Sequence, residues 1–331
     1  MAKIVLVLGS NSFTGAHFVA GALNSGFDVI GISRSNQPNP AFLPYEWQTQ
    51  KTDRFVFLQL DLNQDLKQIF AIINEKKPEY IVNFAAQGMV APSWGNPEQW
   101  IQTNTLSAVK LHHYLKDCTF IKKFVQISTP EVYGSCSGVV KENNNYNPST
   151  PYAVSKAAAD MSLMTYANHY NFPVVFTRAA NVYGEGQQLY RIVPKTILLF
   201  KTGGILPLHG GGRSVRSFVH IKDVVSGTLN VMRKGSIGQV YHLSSDTHIS
   251  IRNLVQHIAD KMKVSFQKHI ETVDDRPGKD DAYYLDCSKI KNEFGWEAQI
   301  DLNRGIDKTI SWIEKNLDIF KKLEWEYIHK P

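Results

Sequence analysis

The sequence has only three cysteines in 331 residues, Cys118, Cys136 and Cys287, and they stand in no metal-ligand spacing. An odd, scattered set implies reduced thiols, excludes a disulfide scaffold and leads us to expect a cytoplasmic protein. Long apolar runs are missing too: none approaches the roughly 20 residues of a membrane span. The strand-like run AKIVLVLG begins at residue 2, which leaves no room for the charged and apolar regions of a signal peptide. Blocks of Lys and Arg interleaved with aromatics are absent, so no nucleic-acid face is expected; the net charge of +6 is mild and suits a small anionic substrate. His209, His220 and His242 lack zinc spacing and read as buried or capping side chains, with no metal expected. What remains is a soluble globular chain, 43% hydrophobic and long enough for about two domains.

Residues 3–8, KIVLVL, read as a strand covered on both faces. A glycine loop follows, Gly9-Ser-Asn11-Ser12-Phe13-Thr14-Gly15, and then a helical run. Gly9 permits the tight turn, Gly15 lets the helix approach the strand, and the free N–H groups of the helix start suit a pyrophosphate. Ser12 stands where a middle glycine is usual, with a hydroxyl able to reach a phosphate. The second strand, FDVIGIS, ends at Ser33-Arg34-Ser35 without the Asp or Glu that would accept from a ribose 2′-hydroxyl. A guanidinium flanked by hydroxyls suits a 2′-phosphate, so NADP is preferred to NAD; a solvated surface arginine is the plainer alternative. After a loop over 36–52, the third strand ends at Asp61-Leu62, where a carboxylate can meet an adenine amino group or equally start a helix. Strand 80–86 ends in Ala85 and Ala86, small enough for a cofactor to lie against the backbone, and Gln87 opens the loop that follows. Asn104 on helix 97–117, Ser128 and Ala179 complete the candidate cofactor set. The βα alternation implies a Rossmann-type doubly wound parallel sheet.

The chemistry concentrates in 126–160, QISTPEVYGSCSGVVKENNNYNPSTPYAVSKAAAD. Strand 121–128 delivers Ser128, Thr129 and Glu131 to its C-terminal end. Tyr152 and Lys156, four apart on an Ala-rich helix, share a face. A neighbouring ammonium is expected to pull the phenol's pKa from about 10 toward neutrality. Taken alone, Tyr-x-x-x-Lys also occurs by chance on surface helices.

Taken together, the glycine loop, Asp61-Leu62, NFAA, Ser128-Thr129 before Glu131, and Tyr152-x-x-x-Lys156 resemble the extended short-chain dehydrogenase/reductase family. Asn181-Val-Tyr-Gly, the run Gly210 to Asp223 and Asp275-Arg276-Pro-Gly-Lys-Asp resemble its nucleotide-sugar branch. The likeness runs from about residue 3 to 315, and S-T-x-E-V-Y-G is most similar to the dTDP-glucose and GDP-mannose 4,6-dehydratases. It implies a tightly bound, recycled dinucleotide. It also implies catalytic roles for four residues. Tyr152 takes the C4 hydroxyl proton as hydride leaves C4, Lys156 holds the nicotinamide ribose, Thr129 bonds the C4 oxygen, and Glu131 removes the C5 proton so that water leaves C6. Hydride then returns to C6. Epimerases have no use for a base at C5, which makes Glu131 the discriminating residue.

Two departures stand out. The dTDP-glucose enzymes carry Asp where this chain has Pro130, and the usual Ser-His-Val after the fourth strand is Gly88-Met89-Val90. Gln87, Ser93 and Trp94 are the candidates to replace the lost sugar contacts. Asn181, Arg191, Arg216 and Arg276 are the candidate nucleotide and diphosphate contacts, since guanidinium groups grip phosphate bidentately. The cofactor domain is expected to span 1–180 plus about 224–245, and the nucleotide-sugar domain 181–223 and 246–331. The resemblance implies a homodimer through two helices per subunit, including the Tyr152–Lys156 helix. An epimerase on the same scaffold and a non-catalytic cofactor-binding regulator are the competing functions; fold alone does not separate them.

Overall fold

Seven short, mostly apolar runs lie side by side in the computed structural model, which describes residues 3–136, 138–274 and 284–330. They are β1 (Ile4–Leu8), β2 (Asp28–Ser33), β3 (Phe55–Gln59), β4 (Tyr80–Asn83), β5 (Lys123–Ile127), β6 (Val174–Ala179) and β7 (Val240–Leu243). All pair in parallel, in the order β7-β6-β5-β4-β1-β2-β3. Helices cover both faces, as strands buried on both sides require. Strand order reverses between β1 and β4, and a crevice opens there beyond the strand ends, the usual ligand position in such sheets.

Helix Phe13–Asn24 packs on one face in a core with Val5, Val7 and Val29, and Ile69 and Ile73 of helix Leu66–Lys76 cover the other. A second core gathers Val193, Ile197, Leu254, Ile258, Ile306 and Ile313 from helices Ile192–Thr202, Ile251–Met262 and Leu302–Lys315. The chain crosses between these cores more often than the sequence suggested. Leu285, Ile290 and Trp296, expected with the second domain, pack instead beside β7 in the first core. Trp296 Nε1 donates to the Asp223 carbonyl at 3.1 Å, and Lys289 Nζ donates to the Val240 carbonyl at 2.9 Å. Conversely Ala41 joins the second core, and its carbonyl accepts from Trp312 Nε1. No helix among the described residues is long and apolar enough to cross a membrane.

Among the described residues four histidines are buried, His17, His112, His220 and His242. His17 bonds the Glu185 carbonyl, His112 the Ser162 hydroxyl and His242 the Tyr133 phenol, all at 2.7–2.9 Å. Burial lowers the pKa of these three to about 4, about 4 and about 3. Each folded value lies below the unfolded one near 6.5, so each histidine is neutral in the fold and protonates first in the unfolded chain. Stability is therefore complete above about pH 6.5 and falls as pH drops toward 4. Denaturant unfolding at pH 5 should show a loss on the order of 1–2 kcal/mol per histidine relative to pH 7.

Candidate active site

The crevice between β1 and β4 holds a cleft of about 440 Å³. Its floor is the turn after β1. Gly9 has φ +79°, and a Cβ there would lie 2.6 Å from the Ala85 amide nitrogen; a Cβ on Gly15 would lie 2.2 Å from the Gly9 carbonyl. Only glycine allows these approaches. Ser12 caps the helix: its Oγ accepts from the Gly15 amide (3.1 Å) and donates to the Gly9 carbonyl (2.7 Å). The hydroxyl expected to reach a phosphate is thus occupied in holding the loop.

Gly9, Asn11, Ser12, Ser33, Arg34, Ser35, Asp61, Leu62, Ala85, Ala86 and Gln87 all line this cleft. Phe13, Thr14 and Gly15 form the first turn of the helix beneath it. Asn11 ties the second strand in, its amide donating to Ser33 Oγ (2.9 Å) and its Nδ2 to the Ser35 carbonyl (3.0 Å). Arg34 Nη2 donates to the Lys330 carbonyl at 2.9 Å. Asp61 accepts from the Asn63 amide at 2.8 Å in a local turn, and the helix start that was its equal alternative falls at Asp65. Ala179 ends β6 opposite Leu243.

Asn104 and Ser93 depart from expectation. Asn104 is buried, accepts from the Gln87 amide (2.8 Å) and donates to the Gln87 carbonyl (3.0 Å) and Ser155 Oγ (2.9 Å). It orients the loop after β4 against the Tyr152 helix, and its amide is filled by protein partners. Ser93 is fully buried; its Oγ donates to the Val90 carbonyl (2.6 Å) and accepts from the Tyr152 amide (3.2 Å). It caps the helix start and offers nothing to a sugar. Trp94 beside it is exposed.

Helix Pro151–Tyr170 begins at Thr150, whose hydroxyl accepts from the Ala153 amide, with Pro151 at the first helical position. Along one stripe it carries Tyr152, Lys156 and Asp160. A short 3-10 turn, Pro130–Tyr133, faces the stripe from the end of β5. Thr129 caps that turn, accepting from the Glu131 amide at 3.3 Å, and Pro130 occupies the first position, where a missing N–H costs no bond. The Thr129 hydroxyl lies near enough to the Tyr152 phenol to favour its ionised form, and the Glu131 carboxylate near enough to oppose it. Thr129, Glu131 and Tyr152 therefore converge.

The electrostatics differ from expectation. Burial, then the Glu131 charge, raises the Tyr152 pKa; the Thr129 hydrogen bond and the Arg191 guanidinium oppose this. Lys156 does not pair with the phenol: its Nζ donates to the Ile127 carbonyl at 2.7 Å, and burial lowers its pKa against the pull of Asp160. The expected shift toward neutrality is not found: the phenol is shifted upward. Arg191 sits at the N-terminus of helix Ile192–Thr202, over the Tyr190 ring, with its charge reaching Tyr152. Asn181 and Arg216 lie on neighbouring parallel strands, with Phe218 opposite Asn181. Arg276 falls outside the described residues.

Beneath the site lies a network the sequence reading missed. Ser128 Oγ donates to Asp160 at 2.5 Å, and Arg178 Nη2 bonds the same carboxylate oxygen at 3.0 Å, both charges having no exposure. The guanidinium lies 4.6 Å from the Tyr133 ring centre and 5.2 Å from that of Tyr146. Asp160 was findable, being four residues beyond Lys156; no motif singled out Arg178.

The chain matches the family model described as GDP-mannose 4,6 dehydratase over residues 6–309. It is 30% identical to the dTDP-glucose 4,6-dehydratase of Haemophilus influenzae, with 93% of this chain and 97% of that one covered. It is 34% identical over 240 residues to the Arabidopsis thaliana protein named trifunctional UDP-glucose 4,6-dehydratase/UDP-4-keto-6-deoxy-D-glucose 3,5-epimerase/UDP-4-keto-L-rhamnose-reductase RHM1. That match takes in 71% of this chain, which spans only 36% of the plant protein. A dTDP-glucose 4,6-dehydratase from Bacillus anthracis, solved in complex with NAD, superposes with a TM-score of 0.87 at 30% identity, over 98% of this chain and all of that one.

Proposed function

Because this chain belongs to the GDP-mannose 4,6-dehydratase family, we propose that it converts a nucleoside-diphosphate hexose to the 4-keto-6-deoxy sugar with loss of water. The observation that carries this is the convergence of Glu131 with Thr129 and Tyr152. Tyr152 takes the C4 hydroxyl proton while Thr129 holds that oxygen. Once C4 is a ketone the C5 proton is acidic, and Glu131 removes it and returns it to the departing C6 hydroxyl. A proline precedes Glu131, so one carboxylate serves as base and then acid. Asn181, Arg191 and Arg216 hold the diphosphate and nucleotide.

The glycine cradle and the cleft fit a nicotinamide dinucleotide, which would accept hydride from C4 and give it back to C6. The Bacillus anthracis structure holds NAD. Arg34 on the cleft wall and the absence of a carboxylate at the end of β2 favour NADP here. Denaturing the purified protein and identifying the released dinucleotide tests that preference.

The substrate test is mass spectrometry of the protein with UDP-, GDP-, dTDP- and CDP-linked glucose, mannose and N-acetylglucosamine. Loss of one water from a single compound, without net cofactor consumption, is the expected result. An isomer of unchanged mass would instead identify an epimerase, the second reading, which Pro130 and the Gly88-Met89-Val90 loop favour.

We also propose a homodimer. Ile101 and Leu106 on the helix formed by Pro97–Trp100, Ile101–Ser107 and Ala108–Leu115 are exposed, as are Val154 and Met161 on the adjoining catalytic helix. Exposed apolar side chains on two adjoining helices suit an interface. Leu106→Asp with Met161→Asp should halve the mass seen by light scattering; an unchanged mass would exclude this interface.

A further inference from the structure

Residues 326–330 cross the mouth of the cleft, and no motif singled them out. Their side chains alternate, with Trp325, Tyr327 and His329 half-buried and Glu326, Ile328 and Lys330 exposed, so the segment is extended with one face inward. Its near end is anchored on the second core, where Trp325 Nε1 donates to the carbonyl of the fully buried Phe320 at 2.7 Å. On the substrate side, Glu326 pairs with Lys195, and the Tyr327 ring meets Tyr190 edge-on at 5.3 Å. On the cofactor side, His329 stacks on Trp100 at 5.1 Å and shares a 2.6 Å hydrogen bond with Gln99. The Lys330 carbonyl then accepts from Arg34 Nη2 and from Gln87 Nε2, each at 2.9 Å. Arg34, Gln87 and Lys330 all line the cleft.

The segment therefore bridges both sides of the crevice and ends on two side chains of the cofactor wall. We propose that residues 326–330 are part of the dinucleotide site, a strap whose closure retards release of the cofactor. This rests on the reading of the cleft as a dinucleotide site. The strap's contacts are hydrogen bonds, ring contacts and one ion pair, all to residues outside both cores, so it opens without unfolding either. A cofactor reduced and reoxidised within each turnover has no reason to leave, and a closed strap suits that economy.

The test is the exchange rate of bound dinucleotide against isotopically labelled dinucleotide in excess. It is measured on the full chain, on a chain ending at Leu323, and on the full-length variants His329→Ala and Tyr327→Ala. Release from the shortened chain should be faster by on the order of tenfold, since weakened contacts act mainly on dissociation. The point variants should fall between it and the parent. If the shortened chain does not fold, the point variants decide, because both leave the buried cores intact. Equal exchange rates in variants that melt like the parent would overturn the strap while leaving the cofactor reading in place. A parent protein that neither carries nor takes up a dinucleotide would overturn both.

Discussion

Glu131→Gln is expected to abolish water loss while leaving oxidation at C4 intact. The amide keeps the shape of the carboxylate and the Glu131 amide bond to Thr129 (3.3 Å) that fixes the turn, but it cannot take the C5 proton. General-base removal costs about 10²–10⁴-fold in the step it serves, so dehydrated product should fall by that factor. The remaining machinery is untouched, and removal of the neighbouring anion lowers the Tyr152 pKa, since the Glu131 charge is among the causes that raise it. On mixing with substrate, the variant should accumulate reduced cofactor, seen by absorbance, with no deuterium entering C5 from heavy water. Tyr152→Phe should block both signals. Undiminished turnover in Glu131→Gln would mean that no base is needed at C5, and the epimerase reading would replace ours.

The charge around the Tyr152 phenol marks the boundary of what the sequence discloses. Tyr152 and Lys156 fall on one helix face by their spacing, and Thr129 and Glu131 follow from a strand ending at a proline turn; both placements are local consequences of short stretches of chain. The interaction between them is not local. Whether an ammonium meets a phenol or a main-chain carbonyl depends on where β5 ends relative to the helix, and here Lys156 meets the Ile127 carbonyl. The positive charge that does reach the phenol comes from Arg191, at the start of a different helix further along the chain. Ser93 and Asn104 were misread for the same reason: a polar side chain near a cleft looks like a ligand contact until its hydrogen-bond partners are known, and theirs are the Tyr152 amide, Gln87 and Ser155. The first five strands, by contrast, were legible because parallel strands covered on both faces carry continuous apolar runs. The strap was not, since its aromatic residues gain meaning only from Trp100 and Tyr190, far away in sequence.

The buried pair beneath the site should dominate stability. Asp160 and Arg178 have no exposure, and removing one partner strands the other's charge away from water, a change that costs about 3–5 kcal/mol. Asp160→Ala should show that loss in denaturant unfolding, and Arg178→Ala a similar one. The double variant should be less damaging than the sum by on the order of 1–3 kcal/mol, because neither charge is then left alone. Strict additivity would show that the pair is not coupled in solution. Catalysis should also suffer in Asp160→Asn, which keeps the side-chain volume. The Ser128 hydroxyl donates to Asp160, and Ser128 leads directly into Thr129 and Glu131, so a loosened Ser128 lets the turn that carries both groups drift from Tyr152. The expected signature is a fall in kcat with KM for the sugar little changed, at temperatures where the variant is fully folded. A change in KM alone would place Asp160 among the residues that shape the substrate pocket and remove it from those that align the reacting groups.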